Sequence, residues 1–238
     1  MGSMYVQVDG VQVHYTISGE GPNIILLHGL GASVISWKDN IDVLADRFCV
    51  YAVDLPGHGD SEPVNTDHTI EAGIKFVSGF MDAVGITKAS IAGNSLGGLI
   101  ALETVLTFPD RFDHLVLVGS AGLGKQISFL LRAKTIPFLG ELLESMGAKA
   151  MLKYVFYDRR LIEPAVVEVL RQHRRKPWAK KTILRMLRQG VNAFGMKPKF
   201  QLTTKIDQVE CPILVVWGRE DRIFPVKHAY NVANRNNG

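Results

Sequence analysis

The sequence predicts an α/β protein: a doubly wound, mostly parallel sheet with helices on both faces. Three observations carry that prediction. Short continuous apolar runs recur at residues 24–27, 49–53, 89–92, 114–118 and 212–217, as in strands buried on both faces. Stretches of helical period alternate with them. Each run ends in a loop rich in glycine or carrying an acidic residue, and such sheets bind ligands at the C-terminal ends of their strands.

The elements follow in order. Residues 5–8 and 11–17 alternate between apolar and polar around Asp9-Gly10, the pattern of a hairpin with a two-residue turn. The strand at 24–27 runs into His28-Gly29-Leu30-Gly31. Trp37, Ile41, Leu44 and Phe48 share one side of a helix over 36–48. The strand at 49–53 leads into Asp54-Leu55-Pro56-Gly57-His58-Gly59-Asp60-Ser61, where Asp54 and His58 read as organisers of the loop. A helix spans 69–84 despite two internal glycines, and Gly85 stops it. A strand at 89–92, a helix over 96–108 and a strand at 114–118 come next. From 122 to 200 strand signals fade, and 164–173 and 182–189 read as helices, with Pro164 in a first turn. A strand at 212–217 and a helix over 226–234 close the series. The domain reading is therefore 1–121 as the first part of the α/β core, 122–200 as a helical insertion, and 201–238 as the second part, incomplete at its C-terminus.

Composition bounds the partners. The chain has 238 residues, 47% of them hydrophobic and 21% charged, enough for one large domain or a domain with an insertion. No apolar run approaches the ~20 residues of a membrane span, so no stable membrane insertion is expected. Met1-Gly2-Ser3 reads as a non-native leader ahead of Met4 without a signal-peptide core, which predicts a cytoplasmic location. Cys49 and Cys211 adjoin apolar strands and read as free buried thiols. No Cys/His spacing suits zinc, and neither a metal nor a cofactor is expected. Residues 122–200 hold 17 Lys/Arg against 5 Asp/Glu, in a chain of net charge +4. This basic excess reads first as the solvated outer face of helices. Attraction of an anionic substrate or a membrane surface is the functional alternative, with Arg185 or Arg188 as a buried carboxylate partner. Nucleic acid is not expected, because no stacking aromatics accompany the charge.

The chemistry centres on Ser95 in Gly93-Asn94-Ser95-Leu96-Gly97. A strand before and a helix after are the context in which this G-x-S-x-G turn exposes a nucleophilic serine. Glycines are needed because the turn is strained and side chains two residues away would collide with strand or helix. The Leu96 N–H, at a helix start, is placed to stabilise an oxyanion.

Taken with His28-Gly29-Leu30-Gly31, the Asp54-to-Ser61 loop, Pro109-Asp110-Arg111-Phe112 and Trp217-Gly218-Arg219-Glu220-Asp221-Arg222-Ile223-Phe224-Pro225, the chain resembles the α/β-hydrolase superfamily in its serine-nucleophile branch. The resemblance implies the α/β-hydrolase fold, with 122–200 as its cap. It implies Asp221 as the acid of a triad and the Leu30 N–H as the second oxyanion donor. It also implies a histidine base roughly 25 to 30 residues beyond Asp221, past Gly238, together with a last strand and helix. His228 matches a histidine that has no catalytic role in the family. Asn94, Trp178 and Phe194 are substrate-pocket candidates, with Phe129, Met146, Met151 and Met196 as further ones. The function expected is hydrolysis of a small ester-like substrate through an acyl-enzyme, by a monomer or homodimer. One alternative is hydrolysis of carbon–carbon bonds in ring-opened aromatic compounds, which Asn94 and the Gly119-to-Gly124 stretch also resemble. Another is a non-catalytic small-ligand-binding protein on the same fold.

Overall fold

A computed structural model of the chain describes residues 2–64 and 69–235. The strands are β1 (Gly2–Val8), β2 (Val11–Ser18), β3 (Asn23–Leu27), β4 (Cys49–Val53), β5 (Ala89–Asn94), β6 (Phe112–Val118), β7 (Val191–Asn192), β8 (Gly195–Met196) and β9 (Ile213–Val216). The helices are α1 (Lys38–Ala45), α2 (Ile70–Ala83), α3 (Leu96–Thr107), α4 (Phe129–Ala133), α5 (Leu139–Glu144), α6 (Gly147–Val155), α7 (Pro164–Arg174), α8 (Ala179–Gly190) and α9 (Lys227–Ala233). Seven strands form one sheet in the order β1-β2-β4-β3-β5-β6-β9, and β7 and β8 pair as a separate hairpin. β1 and β2 pair antiparallel, as do β2 and β4; β4, β3, β5, β6 and β9 run parallel. The first hairpin turns through Asp9 at φ 48° and Gly10 at φ 77°, the two left-handed residues a tight two-residue turn demands.

The two-residue period of a strand sorts its side chains between two faces. Ile25 and Leu27 of β3 join the larger core with Phe76, Val77, Phe80 and Met81 of α2 and Leu99 and Leu102 of α3. Ile24 and Leu26 point the other way and pack with Trp37, Ile41, Val50 and Ala92. α2 begins where Thr69 accepts the Ala72 N–H on its side chain, a cap that explains the start of the helix.

Several expectations shift on contact with the structure. The helix predicted over 36–48 opens as a 3-10 turn at Val34–Trp37 and runs as α1 only to Ala45. The strand predicted at 114–118 starts at Phe112. The first strand, predicted over 5–8, starts at Gly2, which pairs with Ile17. The β7–β8 hairpin escapes sequence reading because two residues per strand are too few to show a period. The connection expected at 234–238 lies outside the described residues beyond Arg235. No helix among the described residues is long and apolar enough to cross a membrane.

Candidate active site

Ser95 stands between β5 and α3 with φ 54° and ψ −114°, a conformation that L-residues rarely adopt. The backbone around it is fixed on all sides. Its N–H donates to the Val118 carbonyl at 3.1 Å, and its carbonyl accepts from Gly98, Leu99 and Ala121. Asn94 donates its Nδ2 to the same Val118 carbonyl at 3.0 Å, so its side chain braces the turn. The neighbouring glycines are required by space. A Cβ on Gly93 would overlap the Gly97 carbonyl, and one on Gly97 would overlap the Leu27 and His28 carbonyls. α3 begins at Leu96, and the first N–H groups of a helix have no acceptor within it.

The 28–31 turn lies directly against this elbow. A Cβ on Gly29 would meet Asn94 Oδ1 at 3.0 Å and Ser95 Cβ at 3.2 Å. His28 pins the turn. Its Nε2 accepts the Leu55 N–H at 3.0 Å, so its proton sits on Nδ1, which donates to the Gly29 carbonyl at 2.7 Å. Burial lowers the His28 pKa and keeps the ring neutral. The Gly29 carbonyl also accepts the Ala32 N–H. Leu30 follows Gly29, the residue of this turn that lies against Ser95.

Asp54 organises the loop below. Its carboxylate accepts from the Val34 N–H at 2.7 Å, the Asp60 N–H at 2.8 Å and His14 Nδ1 at 2.7 Å. Burial works to raise the Asp54 pKa, but His14, His28 and the two N–H groups outweigh it and hold the pKa below its ordinary value. His14, Asp54 and Asp60 bring ligand atoms within 4.8 Å of one another. The donors already on Asp54 make that cluster a hydrogen-bond hub.

Asp221 follows β9. Its Oδ1 accepts the Ile223 and Phe224 N–H groups at 2.7 and 3.0 Å, leaving Oδ2 facing Gly119, where a Cβ would stand 3.4 Å away. Gly119 ends β6, the strand between β5 and β9. Ser95 and Asp221 thus follow β5 and β9 at the same end of the parallel sheet, with β6 between the two strands. The histidines with described positions have other partners: His14 on Asp54, His58 on the Pro56 carbonyl, His114 on Ser90 and His173 near Asp60. His228 is buried against Gly124, with Gln126 Oε1 at 3.2 Å and the Trp217 and Phe224 rings beside it. Burial, then the Lys227 charge, lowers its pKa. His68 lies outside the described residues.

The helical insertion meets the site through α7 and α8. A Cβ on Gly31 would lie 3.1 Å from Ile183 Cδ1 and 3.4 Å from Arg174 Nη1. Arg174 is held there by an ion pair with the buried Glu144, which also receives Lys134 Nζ at 2.8 Å. Neither arginine foreseen as a buried carboxylate partner is one. Arg185 is exposed, and Arg188 pairs with Glu141 and the Thr135 carbonyl. Arg174 was missed because it lies in a basic run, Arg174-Arg175-Lys176, whose pattern does not say which cation turns inward. Trp178 is half-buried below Lys176, and its Nε1 has no hydrogen-bond partner among the described residues. Phe194 is 78% exposed in the β7–β8 turn, so the expectation that it lines a pocket is corrected. Phe129 and Met146 are also exposed, Met151 is partly buried, and Met196 is buried in the main core.

Residues 22–238 match the family model described as the alpha/beta hydrolase fold. The 2-hydroxy-6-oxo-6-phenylhexa-2,4-dienoate hydrolase of Burkholderia cepacia is 31% identical over 238 residues, covering 94% of this chain and 80% of the relative. A meta-cleavage product hydrolase from Pseudomonas fluorescens superposes with a TM-score of 0.80 at 26% identity, over 97% of this chain and 85% of that one. A membrane phospholipase A described as a bacterial virulence factor superposes with a TM-score of 0.78 at 25% identity, over 98% and 75%. With the strained Ser95 turn, the 28–31 turn packed against it and a family match over most of its length, the chain belongs to the alpha/beta hydrolase fold family.

Proposed function

We propose that the chain is a serine hydrolase that cleaves a carbon–carbon bond of a ring-opened aromatic compound. The observation that carries the reading is Ser95 at its strained turn, in a chain 31% identical to a hydrolase named for a phenylhexadienoate. In this reading Ser95 Oγ, deprotonated by a histidine that Asp221 orients, attacks the keto carbon of a ketonised dienoate. The Leu30 and Leu96 N–H groups stabilise the tetrahedral oxyanion. Collapse breaks the bond to the neighbouring carbon. The electron pair leaves as a dienolate conjugated with the 2-keto acid and takes up a proton, and water then releases the acyl group from Ser95. Substrates of this class carry a carboxylate, and Arg174 is the half-buried cation suited to it, with Nη2 on Glu144 and Nη1 toward the Gly31 turn.

Ester hydrolysis uses the same nucleophile and oxyanion donors, and the likeness to a phospholipase A keeps it as the second reading. The test is turnover of a 2-hydroxy-6-oxo-dienoate against a short-chain p-nitrophenyl ester, with Ser95→Ala alongside. The first reading expects the dienoate to have the higher kcat/KM, with activity lost in Ser95→Ala. Turnover of the ester alone reverses the order of the readings. Ligand binding without turnover of either leaves a binding protein on this fold.

A further inference from the structure

Helix α5 is built inside out. Its buried side carries Gly140 and Glu144, one turn apart. A Cβ on Gly140 would overlap the Lys134 carbonyl, and Glu144 is clamped between Lys134 and Arg174. Phe138 just before the helix, Leu142 within it and Met146 just after it are spaced four residues apart and are 89%, 68% and 60% exposed. The Leu142 N–H donates to the Phe138 carbonyl at 3.1 Å, and Met146 keeps helical dihedrals. Phe138 also holds φ 65°, in the region that favours glycine. Backbone strain that sets a phenyl ring in water stabilises nothing within the chain itself. A stripe of three large apolar side chains on a helix that buries a glutamate marks an interaction surface.

Charge identifies the partner. Past Met146, Lys149 and Lys153 of α6 and Arg159 and Arg171 line a groove of about 400 Å³ together with Ile162 and Val167; its one carboxylate, Glu168, pairs with Arg171 at 2.8 Å, which leaves Lys149, Lys153 and Arg159 as the excess charge. On the other side, Lys180 Nζ bonds Ser145 Oγ at 2.9 Å. Residues 122–200 carry 17 Lys/Arg against 5 Asp/Glu, while the rest of the chain holds 10 of the 27 basic and 18 of the 23 acidic residues. The positive charge is therefore concentrated in the same segment of chain that carries the apolar stripe. Two copies presenting this face to one another would repel, whereas an anionic surface would attract it. We infer that the outer face of α5 docks on an anionic lipid bilayer, with Phe138, Leu142 and Met146 entering the interfacial layer and the α6–α7 groove taking lipid phosphates. Apolar anchors beside a basic collar are how a protein lies on a membrane without spanning it.

The test is co-sedimentation of the full chain with vesicles of phosphatidylcholine containing about one third phosphatidylglycerol. Binding is expected to be at least about tenfold weaker on phosphatidylcholine alone, and to weaken as salt is raised. The double variant Lys149→Glu/Lys153→Glu should lose roughly tenfold or more in vesicle affinity. Leu142→Asp should lose a similar factor, and Phe138→Gly should weaken binding while relaxing the backbone, so that folding is preserved. Labelling of Ser95 by a fluorophosphonate should be the same in all of these variants. Three results would overturn the inference. One is failure of the unaltered chain to sediment with anionic vesicles. Another is equal sedimentation with and without phosphatidylglycerol. The third is a concentration-dependent dimer that Phe138→Gly and Leu142→Asp dissociate, which would assign the face to a second copy.

Discussion

Ser95 occupies a backbone conformation that costs of order 1–3 kcal/mol, and the hydrogen bonds from Gly98, Leu99 and Ala121 to its carbonyl hold it there. Ser95→Gly should therefore stabilise the protein by about 1 kcal/mol, because relief of strain exceeds the added chain entropy of glycine. Urea unfolding reads this directly, and an unchanged or lowered midpoint would mean that the turn is not strained. Ser95→Ala should abolish fluorophosphonate labelling and lower turnover by at least about 10⁴-fold. Asp221→Asn is the sharper probe of the proposed acid. An asparagine Oδ1 can still accept the Ile223 and Phe224 N–H groups, so the loop survives while the charge is lost. A fall of about 10⁴-fold in kcat with little change in KM is expected. A change below tenfold would remove Asp221 from the proposed triad.

At the scale of elements, close approach and buried charge decide what can be changed. Gly97 lets α3 start directly against the β3 carbonyl end, and Gly97→Ala should cost about 3 kcal/mol or more by forcing the two apart. Glu144 ties α5 to α4 and α7 through two cations. Replacing it by alanine leaves Lys134 and Arg174 buried without compensation, at about 3–5 kcal/mol. Thermal or urea unfolding of Glu144→Ala checks this. A loss under about 1 kcal/mol would show that both side chains reach water once Glu144 is removed.

Across the whole molecule, stability should fall on acidification in two steps. Burial places the His28 and His228 pKa values below the ordinary 6.5. Below about pH 6.5 the unfolded chain takes up protons there that the folded chain refuses, so stability drops by up to about 1.4 kcal/mol per pH unit for each group. Asp54 is held below 3.8, so its stabilisation is complete above that value and is lost as pH falls through the folded pKa. Urea midpoints at pH 7.5 and 5.5 should differ, the lower pH being less stable. Equal midpoints would contradict neutral, buried rings at both histidines.

The sequence by itself determined the parallel sheet, its element order and the strained turn at Ser95. These rest on local rules: apolar runs long enough to show their period, glycines where a backbone must approach another, and a strand and helix on either side of Ser95. β4 falls at 49–53 and α2 within one residue of the predicted ends for that reason. Only the tertiary structure decided which side chains meet across the strand ends. Long-range contacts place Asp221 opposite Gly119, His28 on the Gly29 carbonyl, and Arg174, not Arg185 or Arg188, at the Gly31 turn. It also decided that Phe194, in a turn with no period to read, and Phe138, at a helix start, face water, because local pattern does not say which surfaces the rest of the fold covers.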